Sequence, residues 1–151
     1  MKIIFLTQKH LESTAQIMVE AYWDSIVKAR VELLKRIKSN ECFIALDNNE
    51  ILGLFIYTRD FSHYANYLED IIVSKNHRRK GVSQELLRKY ISISRAETLI
   101  KQNYALSSTT TSNKPSVAMH LKFGFKKIGV LNKLHYGKDE LFFAYDLRGV
   151  K

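Results

Sequence analysis

The pattern of apolar and polar residues divides the first half of the chain into short strands and amphipathic helices. Met1–Leu6 is predicted to be a strand, and Leu11–Tyr22 carries apolar residues at helical spacing. Asp24 is placed to cap a second helix, whose apolar positions recur at the same spacing. Two β-rich runs follow, Cys42–Leu46 and Ile51–Thr58, with a short polar turn between them. The pattern therefore predicts a strand, two helices and a hairpin.

The second half of the chain alternates strands with helices. Tyr67–Val73 is predicted to be a strand with two carboxylates in its middle, and an amphipathic helix begins near Val82 after a basic turn. The remaining predicted elements are a strand Tyr104–Thr111, a helix Ser116–Phe123 and two closing strands, Phe125–Val130 and Leu141–Leu147. The order β-α-α-β-β-β-α-β-α-β-β predicts an α/β (α+β) fold, with a mixed sheet covered by helices on both faces.

The composition is that of one folded domain spanning residues 1–151. Hydrophobic residues make up 46% of the chain and there is one proline, which argues against disorder. Cys42 is the single cysteine, so no intrachain disulfide can form, and this favours a reducing compartment. No secretory leader is visible, and no apolar run approaches the roughly 20 residues that span a bilayer. We therefore expect a cytoplasmic protein with no membrane partner.

The net charge of +9 is the unusual bulk property. Basic residues cluster in Lys75–Lys80, Lys114–Lys127 and Lys133–Lys138. Such clusters form a solvated basic surface in many proteins, but they also suit an anionic partner. A phosphate-bearing small ligand accounts for the first cluster economically. Nucleic acid is the less favoured partner, because no helix-turn-helix, zinc or RNA-recognition signature accompanies the charge.

The segment that follows the strand Tyr67–Val73 is the most informative in the chain. A β-branched run ends, a basic turn with Gly81 follows, and the amphipathic helix starts at once. The first turn of a helix has unpaired N–H groups and a partial positive charge, so it binds phosphate well. Gly81 lets the backbone approach an anion without a Cβ in the way, and Ser83 is also small. The alternative is an ordinary basic strand-to-helix turn.

Three motifs in the second half together resemble those of one superfamily. Arg78–Ser83 is similar to an Arg/Gln-x-x-Gly-x-Gly/Ala signature, and Tyr67–Val73 is similar to a Leu-Glu-Asp-x-x-Val strand. Asn113, His120 and Gly124-Phe125 match an Asn-x6-Tyr-x3-Gly-Phe spacing. These are motifs of the GNAT N-acetyltransferases, and the predicted order of elements agrees over almost the whole chain.

The resemblance implies a mostly antiparallel sheet of about seven strands, with a V-shaped splay between two parallel strands, here Tyr67–Val73 and Tyr104–Thr111. Acetyl-CoA would lie in that splay, its pantetheine arm bonded by strand backbone and its pyrophosphate held by the N–H groups of the basic turn. Ser83 stands where the family has Gly or Ala, and its small size should be tolerated. The cofactor-binding residues implied in this sequence are Ile71, Val73, Arg78, Arg79, Lys80, Gly81, Val82, Ser83 and Asn113.

Acetyl transfer to an amine requires a base, because at pH 7 an amine with a pKa near ~10.4 is almost entirely protonated. The family pattern favours Glu69 as that base, acting directly or through water. Strand alternation sends Glu69 and Asp70 to opposite faces, so only one of them can face a given cleft. In the alternative interpretation, one or both carboxylates pair with a local Arg or Lys.

His120 is the candidate acid for the coenzyme A thiolate, and it stands where the family usually has Tyr. An imidazole can donate a proton near neutral pH more readily than a phenol. The alternatives are that His120 only packs within the fold, or that Tyr136 or Tyr145 supplies the proton. A further alternative for the whole chain is a coenzyme A-binding protein that has lost catalysis.

The sequence encodes the acceptor poorly. The residues that fall where family members usually build the acceptor pocket are Tyr22, Trp23, Tyr57, His63 and Tyr136. Aromatic residues at strand or helix spacing more often belong to the core, so both interpretations stay open. The positive charge disfavours a simple polycation unless local acidic residues override it, which leaves a small-molecule or peptide amine as the expected partner. A homodimer is left open, and no metal is expected because the histidines and Cys42 lack ligand spacing.

Overall fold

The computed structural model describes residues 1–62, 64–96 and 102–149. In this part of the chain the helices and strands follow one another in the predicted order, with short 3-10 turns at Gln8–His10 and Lys75–His77. The strands are β1 (Lys2–Phe5), β2 (Cys42–Asp47), β3 (Glu50–Thr58), β4 (Ala65–Val73), β5 (Tyr104–Thr110), β6 (Lys126–His135) and β7 (Lys138–Asp146). The helices are α1 (Leu11–Ala21), α2 (Ile26–Ser39), α3 (Val82–Ala96) and α4 (Lys114–Phe123).

The strands form a seven-stranded sheet in the order β1-β2-β3-β4-β5-β7-β6. The pairs β1–β2, β2–β3, β5–β7 and β6–β7 are antiparallel, whereas β4 and β5 are parallel. The parallel register joins Ala65–Leu68 to Tyr104–Ser107, and it stops before either strand ends. The predicted fold class, a mostly antiparallel mixed sheet with one parallel pair, is confirmed.

The chain divides into two compact units, the first of which comprises Met1–Tyr57 and Asp70–Lys89. On one face of its strands, α1 and α2 cover a shared hydrophobic core. On the other face, Phe43 stacks on Phe55 with ring centroids 5.1 Å apart, and Lys89 of α3 lies over the Phe43 ring. Helices therefore cover both faces of the sheet in this unit. The shared core consists of Leu6, Ala15, Met18, Ala29, Leu33, Cys42, Ile44, Ile51, Leu54, Ile56 and Ile72.

The hairpin between β2 and β3 has the turn that its sequence predicts. Asn48 and Asn49 both take positive φ angles, 46° and 68°, and Asp47 pairs with Glu50 across the turn. Two central residues with φ above zero make a turn whose twist matches that of the flanking strands, and asparagine tolerates this conformation. The turn thereby fixes the register of the two strands.

The second unit comprises Thr58–Glu69 and Tyr90–Lys151. Here α3 is tied to the parallel strands by Tyr90, which has no exposed surface. Its hydroxyl lies 2.8 Å from the carbonyl oxygens of both Asn66 and Leu106, one on β4 and the other on β5. A buried hydroxyl that engages both strands holds their backbones together close to the end of the parallel register.

The start of α2 differs from the sequence prediction. Ser25, and not Asp24, is the N-cap, and its hydroxyl accepts a hydrogen bond from the Lys28 amide at 3.1 Å. The Asp24 carboxylate instead pairs with the Lys28 ammonium one turn along. Serine and aspartate cap helices about equally well, so the sequence pattern alone cannot choose between neighbours.

Candidate functional site

The loop between β4 and α3 is fixed at its base by short hydrogen bonds within the first unit. The Ser74 amide donates to the Leu52 carbonyl oxygen at 2.9 Å, and the Ser74 hydroxyl lies 2.7 Å from His77 Nδ1. Arg78 Nε approaches the Val73 carbonyl oxygen at 3.4 Å. The strand therefore ends in an ordered turn before the basic residues begin.

The second part of this loop has the geometry of an anion site. Gly81 takes a φ of +81°, and a Cβ built there would meet nothing within 4 Å, so the backbone faces open space. The Gly81 carbonyl oxygen accepts from the amides of Gln84 and Glu85, which places Gly81 immediately before the first turn of α3. The next amides, those of Val82 and Ser83, have no partner within a helix and carry its positive end.

The side chains around that turn fall into two groups. Val82 is 4% exposed and anchors the helix, while Ser83 is half-buried. Arg78, Arg79 and Lys80 are all exposed or partly exposed and surround the turn with positive charge. Arg79 also takes a positive φ of 61°, which costs a residue with a Cβ some strain and orients the peptide that follows. The sequence-predicted loop thus combines helix-start amides, open space and cations.

Gly53 is a residue of this region that the sequence interpretation missed. A Cβ built on Gly53 would lie 2.6 Å from the Ile72 carbonyl oxygen and 3.2 Å from the Val73 Cα. The two backbones can therefore approach this closely only because residue 53 has no side chain. A glycine in the interior of a strand is the sequence signal that could have found it.

The two carboxylates of β4 lie in different surroundings. Glu69 is exposed, and the Thr58 hydroxyl donates to its Oε1 at 2.6 Å within the second unit. Asp70, in the first unit, is partly buried and accepts a hydrogen bond from the Tyr22 hydroxyl. Burial raises the pKa of Asp70 to about 7. The Glu69 carboxylate is thus in contact with water, whereas that of Asp70 is largely withdrawn from it, which is why the pKa of Asp70 is raised.

His120 is 1% exposed and has a partner on each ring nitrogen. Its Nε2 lies 2.8 Å from the Ser107 hydroxyl, and its Nδ1 lies 2.8 Å from the Ser116 carbonyl oxygen. The ring stacks on Phe143 with centroids 4.6 Å apart, and Phe125 meets it edge-on. Burial lowers the pKa of His120, against a smaller upward effect of the Ser116 backbone. These contacts describe a neutral imidazole held inside the second unit.

Asn113 caps α4, because its side-chain oxygen accepts from the Ser116 amide at 3.3 Å. This contact gives Asn113 a structural role within the second unit. Gly124 ends the same helix with a φ of +115°, in the left-handed conformation that closes many helices. The Asn-to-Gly spacing in the sequence therefore marks the two ends of one helix.

The residues predicted for the acceptor pocket are found in several environments. Tyr57 has no exposed surface and packs against Phe55, so it lies in the core. Tyr22 is 63% exposed and bonds Asp70. Trp23 packs beside the first unit's core, and its Nε1 has no partner in the described part of the chain. Tyr136 is 94% exposed at the tip of the β6–β7 hairpin.

His63 and Tyr145 are the remaining residues of the predicted site. His63 lies outside the described residues. Tyr145, an alternative acid, packs its ring against Phe123 and Phe125 in the second unit. Among the aromatic residues predicted to bind the acceptor, Tyr22 thus contacts one of the two candidate bases, through the hydrogen bond from its hydroxyl to Asp70.

A model of the acetyltransferase (GNAT) family matches residues 10–125 of the sequence. The chain belongs to this family. This GNAT protein is accordingly an acyltransferase of the N-acetyltransferase kind, and its family uses acetyl-CoA as the acetyl donor. No curated protein matches the sequence closely.

Several solved structures share the fold of this GNAT acetyltransferase. The ribosomal-protein-alanine N-acetyltransferase of Brucella melitensis is 21% identical, with a TM-score of 0.80 over 97% of this chain and 99% of that chain. A mutant of the Vibrio cholerae spermidine N-acetyltransferase SpeG is 15% identical, with a TM-score of 0.80 over 97% and 95%. The yncA protein of Salmonella typhimurium, solved with its cofactor acetyl-CoA, is 18% identical, with a TM-score of 0.81 over 100% and 96%. At these identities the likeness shows the fold alone.

The described part of this GNAT acetyltransferase contains neither a membrane-spanning helix nor a metal cluster. None of its helices, within residues 1–62, 64–96 and 102–149, is long and apolar enough to cross a bilayer. Within the same ranges, no three His, Cys, Asp or Glu side chains are grouped so that they could hold a metal ion.

Proposed function

We propose that this acetyltransferase moves the acetyl group of acetyl-CoA directly to a primary amine, with Glu69 as the base. The observation that carries the proposal is the turn at Gly81, which presents open backbone at the start of α3 beside three basic side chains. A diphosphate group needs amide donors, positive charge and room, and this turn offers all three. The loop therefore fits the cofactor that the family uses.

Each part of the loop has a distinct role in this proposal. The amides from Arg79 to Ser83 would hold the pyrophosphate, and the basic side chains would add charge around it. The backbone of Ile71 and Val73, both partly buried at the end of β4, would bond the pantetheine arm as an added strand bonds a sheet edge. Acetyl-CoA supplies the activated acetyl group as a thioester.

The chain's own contribution to the chemistry is proton transfer. A lysine-like amine, with a pKa near ~10.4, is neutral in about one molecule in a few thousand at pH 7, a handicap of roughly 4–5 kcal/mol. The amine nitrogen bonds the acetyl carbon, its proton passes to the base, and the bond from that carbon to sulfur breaks to give the thiolate. Glu69 suits the base role because its carboxylate is exposed and is oriented by the Thr58 hydroxyl.

Asp70 is a second candidate base, favoured by its pKa. A base works best when its pKa lies near the working pH, and burial brings the pKa of Asp70 to about 7. The Tyr22 hydroxyl fixes the orientation of the carboxyl group. If Asp70 is the base, kcat rises with pH through about 7 as the carboxyl group loses its proton, and Asp70→Asn removes that rise.

The acid role of His120 stays a prediction. The ring nitrogens of the buried His120 face two hydroxyl groups, that of Ser107 at 2.8 Å from Nε2 and that of Ser116 at 3.5 Å from Nδ1, so a proton would leave the ring through a serine hydroxyl. The packing alternative needs no such transfer. The two roles differ in a measurable way, because an acid affects kcat whereas a packing residue affects the melting temperature.

The experiment that tests the function pairs two measurements on the intact protein. Acetyl-CoA should raise the melting temperature, because a ligand that binds only the native state stabilises it. A thiol-release assay with acetyl-CoA across primary amines should then show turnover. Stabilisation without thiol release for any amine would support the binding protein without catalysis, and no stabilisation would contradict the proposal.

A further inference from the structure

The end of β4 lies against β3 at a position where only glycine fits. The two atoms nearest to a Cβ built on Gly53, the Ile72 carbonyl oxygen at 2.6 Å and the Val73 Cα at 3.2 Å, both belong to the backbone. A side-chain carbon cannot approach backbone this closely, and backbone, unlike the end of a flexible side chain, cannot rotate out of the way. A side chain at residue 53 would therefore displace the end of β4 by about 0.8 Å, the difference between 2.6 Å and the 3.4 Å of ordinary contact.

The helix α3 is not subject to the same displacement. Leu86 Cδ1, on α3, lies 3.4 Å from the same Cβ position, which is ordinary van der Waals contact. Leu86 has no exposed surface, but this methyl group is the end of a side chain with two rotatable bonds. A side chain at residue 53 would thus move the end of β4 and leave the first turn of α3, with Gly81, in place.

The contacts with β3 also fix which way the peptide groups at the end of β4 point. The Ile72 carbonyl oxygen faces Gly53, and two residues further along the Ser74 amide donates to the Leu52 carbonyl oxygen at 2.9 Å. The backbone groups of successive residues in a strand point to opposite edges of that strand. The residues on either side of Ile72 therefore turn their backbone groups away from β3.

Those residues are Ile71 and Val73, whose backbone the proposed function assigns to the pantetheine arm. Arg78 Nε lies 3.4 Å from the Val73 carbonyl oxygen, so this oxygen faces the basic loop. The parallel register of β4 ends at Leu68, before this segment begins. The end of β4 thus presents backbone groups at an edge where an extended ligand chain can add as a strand does.

We infer that Gly53 is a positioning residue for acetyl-CoA: by lacking a side chain, it lets the end of β4 lie against β3 with the backbone of Ile71 and Val73 aimed at the pantetheine arm. The inference rests on the proposed function, in which that arm bonds β4 and the turn at Gly81 holds the pyrophosphate. Gly53 then acts on the pantetheine part of the cofactor and not on the pyrophosphate part. The alternative is that Gly53 serves only the packing of the sheet.

The test measures calorimetric binding of two ligands to the intact protein. One is acetyl-CoA, and the other is adenosine 3′-phosphate 5′-diphosphate, the part of coenzyme A without the pantetheine arm, which we call the diphosphate fragment. In Gly53→Ala the affinity for acetyl-CoA should fall about tenfold, because hydrogen bonds to displaced backbone weaken steeply. The affinity for the diphosphate fragment should stay within about twofold of the wild type, because the turn at Gly81 is not displaced.

Gly129→Ala is the matched control. Gly129 is also an interior residue of a strand, β6, but a Cβ built on it would meet nothing within 4 Å. Both affinities and their ratio should stay at the wild-type values in this variant. A packing role for Gly53 predicts a lower melting temperature in Gly53→Ala with the ratio of the two affinities unchanged, and that result would overturn the inference.

Amide hydrogen exchange in the wild-type protein decides the orientation of the backbone if Gly53→Ala fails to fold by its melting curve. We expect the Ser74 amide to be protected in the free protein and the Val73 amide to exchange readily. Acetyl-CoA should then protect the Val73 amide, whereas the diphosphate fragment should not. A Val73 amide that is already protected in the free protein, or that stays unprotected with acetyl-CoA, would overturn the inference.

The proposed function can fail separately from this inference. Binding of acetyl-CoA without thiol release for any amine would contradict the transfer reaction, and the ratio of the two affinities would still decide the role of Gly53. Absence of acetyl-CoA binding to the wild-type protein would overturn both.

Discussion

The loop at Gly81 and the pocket around His120 were both singled out by sequence motifs, yet they differ in what their polar groups contact. The loop has basic side chains, amides at a helix start and open space beside its glycine. The histidine is 1% exposed, and each of its ring nitrogens has a hydrogen-bond partner. Two motifs can therefore both match a family in sequence spacing, although one lies beside open space and the other is buried with its hydrogen bonds already satisfied.

The hydrogen-bond partners of a polar group thus say more about its role than its residue type does. Unsatisfied donors next to open space are costly unless a ligand or water meets them, whereas a satisfied buried group already contributes to stability. On this criterion we expect the loop to bind a ligand, and the contacts of His120 favour its packing alternative over the predicted acid role. Substitutions in each region test whether the loop binds a ligand and whether His120 has a structural role.

The largest effect is expected at the open loop. Gly81→Val adds bulk at a φ of +81° where the pyrophosphate is proposed to approach, and would push it out of reach of about two amides, so acetyl-CoA affinity should fall about a thousandfold. Calorimetry measures the change. Gly137→Val is the matched control, because Gly137 also has a positive φ, +76°, and open space around it in the β6–β7 hairpin. Equal loss in both variants would mean that strain, and not the ligand, explains the result.

The next effect concerns the exposed carboxylate of β4. Glu69→Gln removes the proton acceptor and keeps the shape, so kcat should fall about a hundredfold with little change in the KM for acetyl-CoA. The Thr58 hydroxyl can still donate to the amide oxygen, which keeps the side chain in place. A kcat within about twofold of the wild type, together with a larger loss in Asp70→Asn, would transfer the base role to Asp70.

A smaller effect is expected from the cations of the loop. Neutralising Arg78 and Arg79 together should weaken coenzyme A binding about tenfold and flatten its salt dependence, because both side chains act mainly through charge. Titration calorimetry at two salt concentrations measures both quantities. Dephospho-coenzyme A should bind less tightly than coenzyme A to the wild type if either arginine meets the 3′-phosphate. Equal binding of the two ligands would place the arginines elsewhere.

The fold was predictable because local patterns agreed along the chain. The amphipathic helices, the Asn48-Asn49 turn and the basic turn before α3 each follow from residue type and spacing, and the order of elements came out as predicted. Sequence spacing gives a residue's position along a helix or strand. It could not decide whether Asp24 or the adjacent Ser25 is the N-cap of α2, because both residue types cap helices well.

The candidate site was less predictable, because its key features depend on contacts between residues far apart in sequence. The close approach at Gly53, the buried surroundings of Asp70 and the bond between Ser107 and His120 each join segments that are separate in the sequence. The alternation rule separated Glu69 from Asp70 but could not say which one would be desolvated. His120 occupied the family's tyrosine position in the sequence, and its spacing carried no information about the side chains that surround it.

A stability effect distinguishes the two carboxylates further. The pKa of Asp70 is raised by burial from 3.8 to about 7, so the native state holds a proton that the unfolded chain releases. The free energy of unfolding therefore falls as pH rises between those two values and stays lower above about 7. Asp70→Asn keeps an acceptor for Tyr22 and removes the charge, so it should raise the melting temperature at about pH 8 and have little effect at about pH 3.5. The same gain at both pH values would contradict the buried-carboxyl account.

The smallest effect on turnover is expected at the closed pocket. His120→Ala removes a ring that packs on Phe143 and bonds Ser107, so the free energy of unfolding should fall by about 3 kcal/mol, the order typical of a large buried side chain, and the melting temperature should fall with it. At temperatures where the variant stays folded, kcat should lie within about twofold of the wild type if the role is structural. An acid role predicts the opposite: a large fall in kcat, unchanged acetyl-CoA affinity, and partial recovery in His120→Tyr, which restores the family's phenol. Measuring the melting temperature and kcat of both variants separates the two roles. A large loss of kcat in His120→Ala that is partly recovered in His120→Tyr would show that a buried histidine with satisfied hydrogen bonds can still serve as the acid. The hydrogen-bond partners of His120 would then not distinguish its role from that of the open loop.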